Sequence, residues 1–152
     1  MRLNPSNHLT EFRAQTRHEK IPPPAFLSRD LQCDWDIITT LYANLLLIGS
    51  SAESGAMLEA LEPHFRGPIC RCRVKAGVAL PEPTAGTLVV FGVDGLDARQ
   101  QEHMLRWIHR SPPTRVQVVC TSSESLFRLV QAGAFLAELY YRLNVVLLDV
   151  IE

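Results

Sequence analysis

The stretch Asn44-Leu-Leu-Leu-Ile-Gly49 decides the fold class of this chain. Four consecutive apolar residues end in a glycine, with no polar residue between them. Such a run is typical of a strand that is buried on both faces, as in parallel sheets covered by helices. Residues 54–64 follow, with Met57, Leu58 and Leu61 at helical spacing. We therefore expect a buried strand that leads directly into a helix.

The alternation of apolar strand and amphipathic helix continues along the chain. The pattern predicts further strands over residues 68–74, 86–91, 115–121 and 144–151, and helices over 97–109 and 123–141. The last helix is expected to break at Gly133, and a short helix is expected before the first strand. Strands that alternate with helices imply parallel crossovers, and hence a three-layer α/β sandwich.

The helix expected over residues 97–109 carries a recognisable start signal. Asp97 and Gln100 have the three-residue spacing of a capping box, in which each side chain binds the other residue's backbone N–H. Met104, Leu105 and Ile108 form the side that we expect to be buried.

Composition indicates one globular domain and excludes several classes of protein. The chain has 152 residues, 47% hydrophobic and 20% charged, which is enough to bury a core. A net charge of −1 gives no basic footprint for nucleic acid. The apolar runs are too short to span a membrane, and the amino terminus has no signal-peptide core. We expect a cytoplasmic protein with no membrane and no direct DNA contact.

Residues 1–28 differ from the rest of the chain, because they are polar and end near three consecutive prolines. Proline supplies no backbone donor and favours extended chain, so these residues are interpreted as a leader or linker. Residues 29–152 are then the folded domain.

The cysteines are interpreted as free thiols, not as metal ligands. A structural zinc site needs four ligands, usually as two closely spaced pairs. Here one pair, Cys70 and Cys72, stands at the wrong spacing, and Cys33 and Cys120 lie far away. The five histidines are scattered, so no metal site is expected.

The tail Ala132-Gly-Ala-Phe-Leu-Ala-Glu-Leu-Tyr-Tyr-Arg-Leu-Asn-Val-Val146 resembles a long family signature, A-G-x-F-R-x-D-L-Y-Y-R-L-N-V-V. That signature belongs to the bacterial enhancer-binding proteins, the AAA+ ATPases that activate sigma-54 RNA polymerase. Residues 86–96 resemble the same family's G-T-L-F-L-D-E-I-x-x-L, residues 100–106 its Q-x-x-L-L-R helix, and residues 116–126 its V-R-V-I-A-T-T-N-R-D-L. The resemblance implies that residues 29–152 form a minimal AAA+ core without the helical lid, with a five-stranded parallel sheet in the order 5-1-4-3-2.

The family's phosphate-binding loop is altered in this chain. The sequence Gly49-Ser-Ser-Ala-Glu-Ser-Gly-Ala-Met57 aligns with G-E-S-G-T-G-K-E-L. Such a loop works because glycines let backbone N–H groups surround the phosphates while a lysine reaches the β and γ oxygens. The lysine position is Gly55, and Ala52 and Ser54 replace two glycines. Glu53 adds negative charge beside the phosphate position. The degenerate loop comprises Gly49, Ser50, Ser51, Ala52, Glu53, Ser54 and Gly55.

The resemblance implies that two carboxylates should end the third strand, one for magnesium and one to activate the attacking water. Those positions are Phe91 and Gly92, while Asp94 comes two or three residues too late. The polar sensor residue after the fourth strand is Ser123. We therefore expect no catalytic residue and no metal or cofactor site, although residual binding of ATP with magnesium stays open as the alternative.

The family's two trans-acting arginines are reduced to one. Leu136 stands at the first position, and Arg142 keeps the second as the candidate partner-contacting residue. A structural role for Arg142, such as pairing with Glu138 one turn earlier, is the competing interpretation.

The sigma-contacting G-A-F-T-G-A loop is absent from the short interval between Arg73 and Gly86, so we expect an irregular crossover there. The basic residues Arg66, Arg71, Arg73 and Lys75 belong either to a surface for an acidic partner or to a solvated edge strand.

The resemblance and its departures leave three hypotheses. The first is a non-catalytic AAA+-like module that binds a protein partner, such as an intact AAA+ activator, and regulates transcription of the sigma-54 type. The second is an ATP-binding sigma-54-dependent regulator, and the third is a decayed fragment. Without lid or nucleotide, a monomer or dimer is favoured over a hexamer.

Overall fold

A computed structural model describes residues 37–110 and 116–149 of the chain. Its centre is a five-stranded parallel sheet in the order β2-β3-β4-β1-β5. This is the predicted order read from the opposite edge. The strands are β1 (Leu45–Ile48), β2 (Ile69–Arg73), β3 (Gly86–Phe91), β4 (Val116–Ser122) and β5 (Val146–Asp149). The predicted leader over residues 1–28 and the thiol Cys33 lie outside the described residues.

Four α-helices connect the strands: α1 (Ser51–Leu61), α2 (Ala98–Arg110), α3 (Leu126–Gln131) and α4 (Ala137–Leu143). Residues 37–41 are also helical and precede β1, as predicted. Two short 3₁₀ turns, Glu62–His64 and Val93–Gly95, follow α1 and β3.

The helix expected over residues 123–141 is two helices with a wider break than predicted. Gly133 has the left-handed φ of 75° that ends α3. The backbone N–H groups of Ala134 and Phe135 then both bind the Leu129 carbonyl, at 2.8 and 3.2 Å. These bonds complete a C-terminal cap, and the helix resumes only at Ala137.

Side chains from alternate positions of the strands enter two cores, one on each face of the sheet. On one face, Leu46, Leu88 and Val118 pack with residues of α2, α3 and α4. On the other face, Leu45, Leu47, Val89 and Val119 pack with residues of α1 and with Ile38. The sheet is therefore the middle layer of the predicted three-layer sandwich.

Helix α2 buries a different set of residues from the one predicted. Met104 is buried as expected, but Leu105 and Ile108 are only half-buried. Gln101 and Trp107 are buried in their place. Gln101 is enclosed because its side chain binds backbone groups at the junction before α4.

The connection from β2 to β3 contains no helix, as predicted. Residues 74–85 run across α2 as an irregular segment, here called the strap. The Gln100 amide nitrogen donates to the carbonyls of Lys75 and Val78, at 2.7 and 2.8 Å. A cleft of about 260 Å³ remains between the strap and α2. The strap ends at Gly86, whose φ is 89° and whose Cβ, if present, would lie 2.0 Å from the Pro68 oxygen.

Three cysteines within the described residues, Cys70, Cys72 and Cys120, carry free thiols. Burial raises the pKa of Cys72 to about 11, and the neighbouring Cys70 adds to that rise. Burial also raises the pKa of Cys120 well above its ordinary value. Cys72 and Cys120 are therefore protonated at neutral pH and contribute as small apolar side chains.

Across the two described stretches of the chain, no helix combines the length and the apolar character that a membrane span requires.

Candidate functional site at the carboxyl edge of the sheet

The carboxyl ends of β1, β3 and β4 meet at one edge of the sheet, where α/β proteins usually bind their ligands. The junctions are linked by backbone hydrogen bonds. The Gly49 N–H donates to the Ser122 carbonyl at 3.0 Å, and the Gly92 N–H donates to the Thr121 carbonyl at 3.1 Å. The aligned phosphate loop, the positions of the acidic pair and the sensor position are thus brought together as the resemblance implies.

The aligned phosphate loop is largely wound into helix α1. The helix begins at Ser51, three residues before its expected start, so only Gly49 and Ser50 separate it from β1. Ser50 has an extended backbone and caps the helix. The absence of two glycines explains the early start, because alanine and serine favour helix more than glycine does.

A capping box fixes this early start. The Glu53 N–H donates to the Ser50 hydroxyl at 3.2 Å, and the Ser50 N–H donates to the Glu53 carboxylate at 3.0 Å. The Ser54 N–H is also engaged, since it donates to the Ser50 carbonyl at 2.9 Å. With the Gly49 N–H, which binds Ser122, four backbone donors of the aligned loop are therefore used within the chain.

Glu53 also supplies the negative charge at the amino end of α1. The positive end of a helix dipole stabilises an anion, and here the anion is a side chain of the helix itself. An incoming phosphate would meet this carboxylate at close range, without a cation at Gly55 to offset the repulsion.

The positions of the acidic pair hold a ring and a left-handed glycine. Phe91 is half-buried at the end of β3, and the Arg73 guanidinium lies 5.7 Å from the centroid of its ring. Gly92 has a φ of 77°, a conformation that disfavours any L side chain. Its N–H also donates to the Thr121 hydroxyl at 3.1 Å.

Asp94, which the sequence places too late for the acidic pair, lies in the 3₁₀ turn after Gly92. The Ser123 hydroxyl donates to its carboxylate at 2.8 Å. The structure therefore joins the displaced carboxylate to the sensor position, which the sequence analysis did not foresee. Within the described residues, no group of three or more His, Cys, Asp or Glu side chains is placed to hold a metal ion.

Arg142 lies in the last turn of α4, and its side chain is exposed. The pairing with Glu138 that we considered is not the one that forms. The Glu138 carboxylate instead contacts the His109 ring nitrogen at 2.9 Å, because α2 and α4 pack side by side. The Arg142 carbonyl accepts a hydrogen bond from the Asn44 amide at 2.9 Å. Leu136 caps the other end of α4, and its N–H donates to Gln101 at 2.8 Å.

The predicted basic residues lie around the edge strand β2, which pairs only with β3 among the described strands. Arg71 forms an ion pair with Glu62, and Arg66 stacks on the Tyr42 ring with its guanidinium carbon 4.3 Å from the centroid. Arg73 and Lys75 are exposed.

The sequence alone did not reveal two further features, the capping box of α1 and the buried Gln101. The spacing Ser50-x-x-Glu53 is a capping-box signal for the start of a helix, but the same residues also align with a phosphate loop. The buried Gln101 had no such signal. Its amide donates to the Leu96 and Ala134 carbonyls, which lie far apart in sequence.

Comparison with known proteins places this geometry in a family. The family model of the sigma-54 interaction domain matches residues 74–152. A comparison with curated protein sequences gave no match.

Several solved structures are similar to most of this chain. NtrX from Brucella abortus in complex with ADP has a TM-score of 0.63 and 16% identity, over 95% of this chain and 41% of that one. NtrX in complex with ATP has a TM-score of 0.62 and 15% identity, over 95% of this chain and 42% of that one. The P-loop NTPase domain of the sigma-54 transport activator from E. coli has a TM-score of 0.58 and 19% identity, over 76% of this chain and 93% of that one.

At these identities the structural likeness establishes the fold, and this chain spans less than half the length of the NtrX chains. The family model covers more than half of this chain and includes the tail signature. The chain therefore belongs to the sigma-54 interaction domain family, and its fold is that of the AAA+ P-loop NTPases.

Proposed function

We propose that this domain works without ATP, as a non-catalytic protein-interaction module that regulates a transcription activator of the sigma-54 type. The observation that carries the proposal is the junction between β1 and α1, where the aligned phosphate loop is a capped helical turn. The partner in this proposal is a protein, such as an intact AAA+ activator, and the site of action is the cytoplasm.

Phosphate binding at this junction would require several changes at once. The Ser50 and Glu53 N–H groups would have to leave their capping partners, which lie 3.0 and 3.2 Å away. Losing such a cap costs about 1 kcal/mol. The Glu53 carboxylate would then have to move away from the phosphate, and no lysine would replace the lost attraction.

Hydrolysis would need a metal ligand and a base in addition. Phe91 offers neither, and the φ of 77° at Gly92 disfavours a carboxylate-bearing residue there. The Asp94 carboxylate is engaged by the Ser123 hydroxyl. These contacts support a site in which neither ATP nor magnesium is a cofactor.

The oligomeric state follows from the same reasoning. A nucleotide held between subunits stabilises AAA+ rings, and this chain has a single candidate trans-acting arginine, Arg142. We therefore propose a monomer or a dimer. Arg142 is exposed on α4 and remains available to contact a partner protein.

Titration calorimetry with ATP and magnesium tests the proposal. We expect no saturable heat at millimolar nucleotide, with NtrX, which crystallises in complex with ATP, as the positive control. Saturable binding accompanied by phosphate release would overturn the proposal and support an ATP-dependent sigma-54 regulator instead.

The variant Gly55→Lys sharpens this test, with Gly55→Gln as the control of similar length and no charge. Adding a side chain at residue 55 is sterically permitted, because no atom lies within 4 Å of the position of its Cβ. We expect neither variant to hydrolyse ATP, since Phe91 and Gly92 remain. Turnover by the lysine variant alone would show that a base exists elsewhere.

A further inference from the structure

We propose that the edge of β2 that no other described strand covers, here called the free edge, binds an extended, acidic segment of a partner protein as an added strand. The inference deepens the proposed function, since it names the contact surface of the interaction module. It assigns a role to Arg71 and Arg73, two residues that the aligned nucleotide site does not include.

The backbone of β2 has hydrogen-bonding groups directed away from the sheet. The Pro68 carbonyl accepts from Thr87 at 2.9 Å, and the Val74 N–H donates to Phe91 at 3.0 Å. Backbone groups alternate along a strand, so the even-numbered residues between these two bonds face β3. Ile69, Arg71 and Arg73 therefore point their N–H and C=O groups to the free edge.

The side chains of these same residues lie on one face of the sheet, towards α1. Ile69 packs against the core on that face, whereas Cys70 and Cys72 pack on the opposite one. The register places Arg71 beside Val89 and Arg73 beside Phe91. An added strand would thus lay alternate side chains next to two arginines spaced roughly 7 Å apart along β2.

Both arginines are held in place before a partner arrives. Arg71 is paired with the Glu62 carboxylate while its side chain remains 51% exposed, which leaves guanidinium donors for a second carboxylate. Arg73 lies over the Phe91 ring, a cation–π contact that restrains a flexible side chain and leaves its N–H groups able to donate to a carboxylate.

A cleft of about 160 Å³ lies next to this edge, between α1 and the strands. Its floor is apolar and includes Val89, Phe91 and Leu58, and Gly55 leaves its wall open. The cleft lies on the same face of the sheet as the arginine side chains, so a residue on that face of the added strand, beyond those that meet Arg71 and Arg73, can be apolar and reach this floor. Strand addition commonly combines main-chain bonds for affinity with such pockets for specificity.

The positive charges along β2 favour an acidic partner segment. Arg71 and Arg73 lie on the strand, and Lys75 is exposed just beyond its end. The carboxylates of Glu59 and Glu62 line the α1 side of the cleft. A segment whose acidic side chains alternate along an extended backbone matches the arginines, while a basic segment meets like charges at the edge.

Fluorescence anisotropy with labelled peptides provides the test. The probe is a seven-residue peptide of alternating glutamate and valine, and its controls are a block-ordered peptide of the same composition and an alternating lysine–valine peptide. We expect the probe to bind at least roughly 10-fold more tightly than either control, since aligned opposite charges add over several cross-strand pairs.

Backbone methylation separates strand addition from simple charge attraction. Two versions of the probe carry N-methyl groups, one at its odd and one at its even amides, so that each blocks a different edge of the peptide. We expect one version to lose binding and the other to keep it. Equal binding by both versions, or no binding of the unmodified probe, would overturn the proposal.

Charge reversal on the protein supplies the second arm. We expect Arg71→Glu/Arg73→Glu to weaken probe binding by roughly 10-fold. The control Arg99→Glu/Arg128→Glu makes the same charge change at exposed positions on α2 and α3 and is expected to leave affinity within twofold. Arg73→Glu alone serves if loss of the Glu62 ion pair unfolds the double variant. Equal losses in the edge and control variants would contradict the assignment.

These experiments do not involve nucleotide. If the domain binds ATP but also binds the probe, the proposed function fails and the strand-addition site stands. If neither ATP nor the probe binds, the strand-addition site alone is wrong.

Discussion

Helices α1 and α2 begin with the same local device and use it differently. At α1, Ser50 and Glu53 exchange two hydrogen bonds on an exposed surface. At α2, Asp97 and Gln100 exchange two equivalent bonds, at 2.8 and 2.9 Å, in partly buried surroundings.

The two capping boxes differ in what else they contact. The α1 box is self-contained and leaves no open loop after β1. The α2 box reaches outward, because Gln100 holds two carbonyls of the strap and Asp97 accepts from the Gly77 N–H at 3.4 Å. The comparison teaches that one motif can fix only the start of its own helix in one place and secure tertiary structure in another.

The largest expected effect is at the residue next to the α2 box. Gln101→Met would leave the carbonyls of Leu96 and Ala134 and the Leu136 N–H without their side-chain partner. Because these groups are buried or partly buried, we expect a loss of about 3 kcal/mol or more in the free energy of unfolding. Urea denaturation measures it. The same change at exposed Gln131 is the control. Equal losses of unfolding free energy at both positions would mean that the Gln101 hydrogen bonds do not stabilise the domain.

A smaller effect is expected where β3 ends. Gly92→Glu restores a carboxylate of the family's acidic pair at a φ of 77°, where any side chain costs about 1–2 kcal/mol. We expect lower stability in thermal unfolding and no ATPase activity. Gly95→Glu, at a nearby glycine without a positive φ, should cost less. If Gly92→Glu is as stable as the wild type, the positive φ at residue 92 does not disfavour a carboxylate there.

The capping boxes themselves can be compared directly. Ser50→Ala and Asp97→Ala each remove a cap, and each should lower stability by about 1 kcal/mol. Asp97→Ala should cost more of the two, because it also loses the Gly77 contact. Ser51→Ala, at the first residue of α1, is the control. If Ser50→Ala matches this control in denaturation, the α1 box does not hold the helix start.

The smallest expected change is a gain. Gly55 lies inside α1, and a Cβ there meets no atom within 4 Å. Gly55→Ala should therefore stabilise the domain by about 0.8 kcal/mol, as alanine does in a helix interior. Gly92→Ala, at a left-handed glycine, should destabilise it. A loss of stability at residue 55 would indicate that this segment needs the flexibility of a loop.

The sheet could be predicted from the sequence because its signals are local and redundant. The apolar run over residues 45–48 indicates a buried strand, and the long tail signature supplies the strand order by resemblance. The Asp97–Gln100 box was predicted and is confirmed by its two hydrogen bonds.

The remaining features depend on competition between signals or on distant partners. At residues 50–54 the capping box and the absence of two glycines favour a helix over the aligned loop. Alignment to the family's phosphate loop does not reveal this helix preference. Gln101 is polar at a helical position, and its burial depends on the Ala134 carbonyl 33 residues later. Glu138 pairs with His109 instead of Arg142 because of helix packing, which sequence spacing does not reveal.

The position of β1 between β4 and β5 has a consequence for how the chain folds during synthesis. Leu45 pairs with Val119 on one side and with Val146 on the other, and both partners lie in the last third of the chain. Strand β1 therefore emerges from the ribosome long before either neighbour exists. Its four buried apolar residues must stay unpaired until then, whereas β2 and β3 can pair early. Such late, long-range pairing slows folding and exposes the nascent chain to aggregation, so we expect the pairing of β1 with β4 and β5 to be the last part of the sheet to form.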